Sequence, residues 1–468
     1  MMRRVMLLLP LLLMPVALLA GPDWTVSLPW LLNGGVWGVD ALRYAFLLLT
    51  FVLWSVAGVF AVGYLKGPNS LRYCLFWVLT FAGNAGLVVA QDIASFYSFF
   101  ALMTFAGYGL VVHEGSAEAR KAGRVYMAMA IIGEMAILAG LMLAANAAAS
   151  HLLDDLPAAI ASAEHRGVII ALLLAGFGVK AGLPLLHFWL PLAHPVAPTP
   201  ASAVLSGAMI KAGLLGWLVT LPLGEVLLPG WANALVVFGA LGSLGGALLG
   251  VVQRRAKTVL AYSSISQMGL MLLLLAAAMG SAGQAMAIVP VLGLYALHHG
   301  LAKGCLFLST AMIPPANARG RFLRWLLILL PGLSLAGLPF TSGAVAKLAM
   351  KDVLKPDYHD FMMADALPIL MSAGAVATLL LVWRFVWVLA ISDGNKTVNR
   401  WQWWGWSAAC LASLSAFFWL PLVPAGEVGS DIGNAMQGQL WTLSWPLLIA
   451  TGMAGVAWLV SRRREAGA

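Results

Sequence analysis

The chain has 468 residues, 62% hydrophobic and only 10% charged, with 27 Lys+Arg against 18 Asp+Glu and a formal net charge of +9. Soluble domains carry about 25% charged residues, so this composition and a mean hydropathy of +0.91 exclude a soluble fold and predict a polytopic membrane protein. The basic residues lie in short loops between apolar runs, so membrane topology explains the positive sign better than nucleic-acid binding does.

Apolar runs of roughly 20 residues recur from end to end. In chain order they predict an all-α membrane protein with about fourteen spans. The spans fall near 5–20, 42–65, 73–90, 93–112, 125–147, 168–191, 199–222, 231–252, 257–279, 285–313, 322–355, 366–391, 402–423 and 440–461. Proline interrupts the sixth, at Gly182-Leu183-Pro184, and the eleventh, at Gly337-Leu338-Pro339-Phe340. Each is therefore expected to be two half-helices making one crossing.

With the N-terminus in the cytoplasm, alternate loops obey the positive-inside rule. Cytoplasmic loops then hold Arg3 and Arg4, Lys66 and Arg72, Arg120, Lys121 and Arg124, Arg254, Arg255 and Lys257, Arg319, Arg321 and Arg324, Lys396 and Arg400, and the tail Arg462, Arg463 and Arg464. The opposite loops hold Asp23 and Asp40, Asp154 and Asp155, Glu225, and Glu427 and Asp431. Lys351 and Lys355 break the pattern, beside Asp352 and Asp357. Both termini are thus expected in the cytoplasm of a bacterium, with the chain in its inner membrane. Arg3-Arg4 before an apolar run ending at Ala20-Gly21 also has the look of a signal peptide, without a clean small-x-small cleavage site.

Spans three to seven and eight to twelve form two sets of five, so the second set enters from the opposite side. The interrupted helix is fourth in both. This predicts an inverted repeat over 73–222 and 231–391, flanked by terminal helices in 1–72 and 392–468, with the broken helices lining a cavity.

Lys180, Lys211, Lys303 and Lys347 each interrupt an apolar segment. An ammonium at bilayer depth costs about 2.5 kcal/mol or more and usually marks an ion or proton path. A lysine near a helix end more often snorkels, which accounts for Lys351 and Lys355 but not for Lys211 or Lys303. Tyr295, His299 and Lys303 recur at four-residue spacing on one helical face and predict a hydrogen-bonded track. His298 points elsewhere, so it is expected either to pack or, with Tyr295, to serve the track as an auxiliary. Glu134 lies deep in its own span and needs a cation or a proton; Lys180 is the expected partner.

Cys74, Cys305 and Cys410 show no C-x-x-C spacing, there is no G-x-G-x-x-G after a strand, and no P-loop. The expectation is no metal, no cofactor and no catalytic centre, with any redox or phosphoryl chemistry in a partner subunit.

The stretch from Phe177 through Lys180, Pro184, His187, His194-Pro195 and Pro198-Thr199-Pro200 to Met209-Ile210-Lys211-Ala212-Gly213 resembles the signature of the antiporter-like subunits. These are shared by respiratory complex I, membrane-bound hydrogenases and multisubunit sodium/proton antiporters. Val259 to Gly269, His298 to Phe307 and Leu338 to Lys347 match further segments, so the resemblance covers roughly residues 70–390. The Ala-His-Pro-x-Ala-Pro wording leans toward the formate-hydrogenlyase type of hydrogenase subunit.

The resemblance implies proton translocation within a complex that includes a related antiporter-like or redox-linked membrane subunit. Lys180 would be the broken-helix lysine, Lys211 the central lysine, His299 with Lys303 the link between half-channels, and Lys347 the terminal residue. Tyr295 stands where some members have histidine. One position departs from the family: its Trp-Glu pair reads Phe100-Ala101 here, and Glu134 is the expected substitute. Two other classes stay open, an ion-coupled transporter (sodium/proton antiport or solute uptake) and a membrane scaffold that has lost transport.

Overall fold

The computed structural model describes all residues except 33, 68, 282, 313–317, 356–360, 392–397, 421–438 and 467–468, and side chains as far as residue 456. Lys396, Asp357, Glu427, Asp431 and the side chains of Arg462, Arg463 and Arg464, all used above to orient the loops, lie outside what is described.

Helix α1 (Met2–Ala20) is followed by an antiparallel hairpin, β1 (Trp24–Leu28) and β2 (Gly35–Val39), with Trp24 opposite Val39. Then come α2 (Ala41–Tyr64), α3 (Ser70–Val89), α4 (Ile93–Val111), α5 (Ala117–Ala148), the short α6 (Leu156–Ser162), α7 (Arg166–Ala181) and α8 (Trp189–Val196). α9 (Thr199–Thr220) and α10 (Pro229–Val251) each contain a π-helical turn, at Leu205–Met209 and Leu241–Gly245. The remaining helices are α11 (Ala256–Met279), α12 (Ala285–Ser309), α13 (Ala318–Ala336), α14 (Ser342–Val353), α15 (Ala366–Ala390), α16 (Arg400–Trp419) and α17 (Leu440–Ala466).

Among the described residues, ten of these helices are long and apolar enough to cross a membrane: α1 to α5, α9 to α12, and α15. The chain is an integral membrane protein. The other four expected spans correspond to the interrupted pairs α7/α8 and α13/α14, to α16, and to α17, whose described apolar stretch is Leu440–Val456. The all-helical expectation missed the hairpin, although Trp24 to Leu28 alternates as a strand should. Asp92 ties it down, accepting from the Val36 N–H at 2.8 Å.

Helix starts follow local capping chemistry. Asp40, Asp92 and Ser116 accept from the backbone N–H of Arg43, Ser95 and Ala119 at 2.7, 2.7 and 3.0 Å. Asn399 and Gln402 form a reciprocal capping box at the head of α16. Each cap satisfies an amide that a helix leaves without an internal partner.

The two helix breaks have the same backbone. Gly182 and Gly337 take left-handed φ of 80° and 93°, and three residues later Leu185 and Phe340 do likewise at 71° and 61°. The N–H of Leu183 bonds to the Gly178 carbonyl at 2.8 Å, and that of Leu338 to the Leu333 carbonyl at 3.0 Å. This is the six-to-one closure of a helix end on a left-handed glycine, and the proline two residues on prevents continuation. Gly-Leu-Pro thus ends both α7 and α13 by one mechanism.

The centre of the bundle is α9, α11 and α12. Every residue of α9 is buried, and α11 is nearly as enclosed. A helix apolar on all sides is a core helix, so the polar groups it carries have only protein or enclosed water to bond.

Candidate functional site

The first cluster lies where α4, α5, α7 and α8 meet. Glu134 from α5 and Lys180 from the last turn of α7 line one small cavity with Phe100, Thr104, Tyr126 and Trp189. Its volume is about 10 Å³, at the lower limit of room for one water. The Lys180 ammonium lies 5.8 Å from the Phe100 ring centre, 5.5 Å from Tyr126 and 5.9 Å from Trp189. Three aromatic faces at that range give an enclosed cation partial compensation for lost hydration. The cage is fixed in place: Tyr126 donates to the Thr104 carbonyl at 2.8 Å and Trp189 to the Val179 carbonyl at 2.8 Å.

Among the described residues Glu134 and Lys180 make no direct ion pair. They share the cavity instead, and Glu134 Oε2 is buried without a hydrogen-bond partner among those residues. The expected partners thus face the same small space as cation and acid without direct contact. The α4 wall of that space is formed by Phe100 and Thr104, not Ala101.

The second cluster is central. Lys211 and Lys303 are both fully buried, at 0% exposure. The π turn in α9 displaces the backbone register, and Lys211 Nζ donates to the Ser206 carbonyl inside that turn at 2.8 Å. Ser206 Oγ lies 2.7 Å from Ser264 Oγ on α11. Ser264 donates in turn to the Leu260 carbonyl at 3.0 Å, and Lys303 Nζ on α12 donates to that same carbonyl at 3.0 Å. Lys211 and Lys303 are therefore joined residue to residue through Ser206, Ser264 and Leu260. Carbonyls only accept, so they anchor the ammonium groups; the serine hydroxyls are the members able both to donate and to accept.

The predicted Tyr295–His299–Lys303 track is corrected in its bonding. The Tyr295 and His299 rings are neighbours, 6.4 Å between centres, but Tyr295 donates to Gln267 Oε1 on α11. Both ring nitrogens of His299 are buried and without a hydrogen-bond partner among the described residues. His298 pairs with Ser342 through Nδ1 at 2.9 Å and so binds α12 to the start of α14.

The third cluster is the second break. Lys347 Nζ donates to the Ala336 carbonyl at 2.7 Å, closing an orphan acceptor at the end of α13, where the helix dipole favours a cation. Near the helix ends, Lys351 reaches the Thr442 carbonyl at 3.3 Å and Lys355 pairs with Asp352. Among the described residues no hydrogen bond joins Lys180 to Lys211 or His299 to Lys347.

Sequence reasoning missed Ser206, Ser264 and Gln267. The last two lie, with Leu260, on one face of α11 at spacings of four and three. His194 was also passed over: it is fully buried, with neither ring nitrogen bonded among the described residues, and stacks on Phe307 at 4.5 Å. Cys305 and Cys410, far apart in the chain, meet with Sγ atoms 2.9 Å apart between α12 and α16; both are free thiols.

Comparison with known proteins adds an independent line. Residues 90–364 match the family described as NADH:quinone oxidoreductase/Mrp antiporter, TM. The chain is 29% identical over 286 residues to the hydrogenase-4 component B of Escherichia coli, covering 59% of this chain and 43% of that protein. It is 34% identical over 262 residues to an NAD(P)H-quinone oxidoreductase chain 4 of Thermosynechococcus vestitus, covering 53% and 47%. Among solved structures, a chain of the Mrp complex from Dietzia sp. superposes with a TM-score of 0.81 at 22% identity, over 99% of this chain and 55% of that one. The chain spans about half the length of the curated relatives it matches. With the matched segment covering most of the bundle and all three clusters, the chain belongs to the NADH:quinone oxidoreductase/Mrp antiporter membrane subunit family.

Proposed function

We propose that the chain is a proton-translocating membrane subunit of a larger energy-converting complex, moving protons along Glu134, Lys180, Lys211, His299 with Lys303, and Lys347. The observation that carries this is the complete enclosure of Lys211 and Lys303 beside a pair of serines. Burying ammonium groups against carbonyls is expensive, and a chain selected only for stability has no reason to do it repeatedly. Protonating one lysine repels its neighbour, so charge moves stepwise between the clusters. A partner subunit supplies the drive and acts first on the Glu134–Lys180 cavity. The partners are other membrane subunits, among them a related antiporter-like or redox-linked one, as the naming of the hydrogenase-4, quinone oxidoreductase and Mrp relatives suggests.

In this reading residues 73–222 and 231–391 are two repeats of opposite orientation. The matching Gly-Leu-Pro ends of α7 and α13 support it. The positive-inside pattern supports placing both termini in the cytoplasm of the bacterial inner membrane. The test is proton uptake into proteoliposomes holding the whole complex, with Lys211→Ala and Lys347→Ala combined. Uptake equal to that of the unsubstituted complex excludes the relay.

A second reading has one specific support, the likeness to a chain of an Mrp complex. There the same groups would exchange protons for sodium or another solute without redox chemistry. Ion flux driven by ΔpH or Δψ, with no electron donor present, distinguishes the two.

A further inference from the structure

One end of the bundle carries a pocket that the proton path does not use. It lies where the start of α1, the end of α2 and the start of α16 converge, and its volume is about 520 Å³. Four cations from three separate stretches of chain line it: Arg3, Arg4, Lys66 and Arg400. Among the described residues the ion pairs are Arg43 with Asp40 and Asp154, Arg255 with Glu118, and Lys355 with Asp352. None involves the four. Among the described residues Arg3 gives one side-chain hydrogen bond, to Ser70 Oγ at 3.3 Å, leaving most of its five donors without a partner there.

Like charges gathered with no counter-charge among the described residues repel one another, so the arrangement is stabilised when an anion enters. The walls say which kind. The pocket floor includes the buried apolar side chains Val62 and Leu65, so the site is cationic at its rim and apolar beneath. The Arg400 guanidinium sits 5.9 Å from the Trp401 ring and 5.6 Å from the Trp404 ring. Trp404 is 54% exposed at this helix end, as expected of a tryptophan at the headgroup level of a bilayer. On α1, running away from the pocket, Leu12 and Val16 are exposed, an apolar track on which an acyl chain can lie.

We propose that this pocket binds the phosphodiester headgroup of an anionic phospholipid, held by Arg3, Arg4, Lys66 and Arg400, and that the lipid clamps α1 and α16 to α2. Basic pockets between membrane helices are a recurring form of lipid headgroup site. The α1–α2 seam that the lipid would hold is close: a side chain at Gly58 would collide with the Leu7 carbonyl. The proposal stands apart from the proton relay, because none of the four cations belongs to it.

The experiment is native mass spectrometry of the purified complex in detergent, titrated separately with phosphatidylglycerol, phosphatidylcholine and inorganic phosphate. Phosphatidylglycerol should be retained in preference to phosphatidylcholine. Each cation near an anionic lipid contributes about a fivefold gain in affinity, so Lys66→Gln with Arg400→Gln should weaken retention about 30-fold. Both residues are exposed, so the fold tolerates the change. Arg255→Gln, exposed and distant in the chain, is the control and should retain the lipid as before. Equal retention of the two lipids, or undiminished phosphatidylglycerol retention in the double variant, overturns the proposal. Inorganic phosphate displacing the lipid at equal concentration overturns it too, making this a site for free phosphate.

Discussion

Gly207 on α9 and Gly300 on α12 meet backbone to backbone. A Cβ on Gly207 would stand 2.9 Å from the Gly300 carbonyl oxygen, and one on Gly300 would stand 2.6 Å from the Gly207 carbonyl oxygen. Gly207 lies within the π turn that also presents the Ser206 carbonyl to Lys211, and Gly300 lies one turn before Lys303. This contact sets how near the two lysine-bearing helices come.

Gly207→Leu and Gly300→Leu should each push α9 and α12 apart. Overpacking of a tight seam costs about 1–3 kcal/mol, visible as a lower Tm of the detergent-solubilised protein, and proton translocation should fall with it. Gly230→Ala, at a position with open space around it, should change neither. A Gly207→Leu protein with unchanged Tm and unchanged translocation would show that the close approach is unimportant.

Ser206→Ala and Ser264→Ala each break the same hydroxyl–hydroxyl contact. A buried hydrogen bond of this kind contributes about 1 kcal/mol, so each single variant should slow translocation by roughly fivefold. Because the two residues act as one contact, the double variant should be little slower than either single one. Additive losses in that cycle count against a shared step.

Glu134→Gln should uncouple the complex, leaving the driving reaction running while proton uptake falls at least tenfold. Ala101→Glu added to it should not restore uptake, although the family carries its glutamate at that position, because the α4 wall of the Lys180 cavity is Phe100 and Thr104. Measuring uptake per turnover in both variants decides it; recovery in the double variant would show that position 101 reaches Lys180 after all.

The lysines were legible in the sequence because a charge inside an apolar run has few explanations. The two breaks were legible because Gly-Leu-Pro both permits the left-handed turn and forbids the next helical hydrogen bond. The α11 contribution was not. Serine and glutamine in a membrane helix give no signal by themselves, and the partner of Ser264 lies 58 residues away on another helix. The Cys305–Cys410 contact was invisible for the same reason, since chain spacing says nothing about which helices become neighbours. The hairpin was not legible because a five-residue alternation between about fourteen long apolar runs carries too weak a signal. Whether Glu134 and Lys180 touch was not legible, because sequence shows charge complementarity and not the distance between two side chains sharing a cavity.

The most direct measurement is the ratio of protons translocated to turnovers of the driving reaction, in the intact reconstituted complex, comparing the unsubstituted chain with Lys211→Met. Methionine keeps most of the length and packing of the side chain and removes its charge together with the hydrogen bond to the Ser206 carbonyl, and assembly is checked on the same sample. The account predicts that the ratio drops by the full contribution of this subunit while the complex stays assembled. An unchanged ratio with Lys211→Met in place contradicts it.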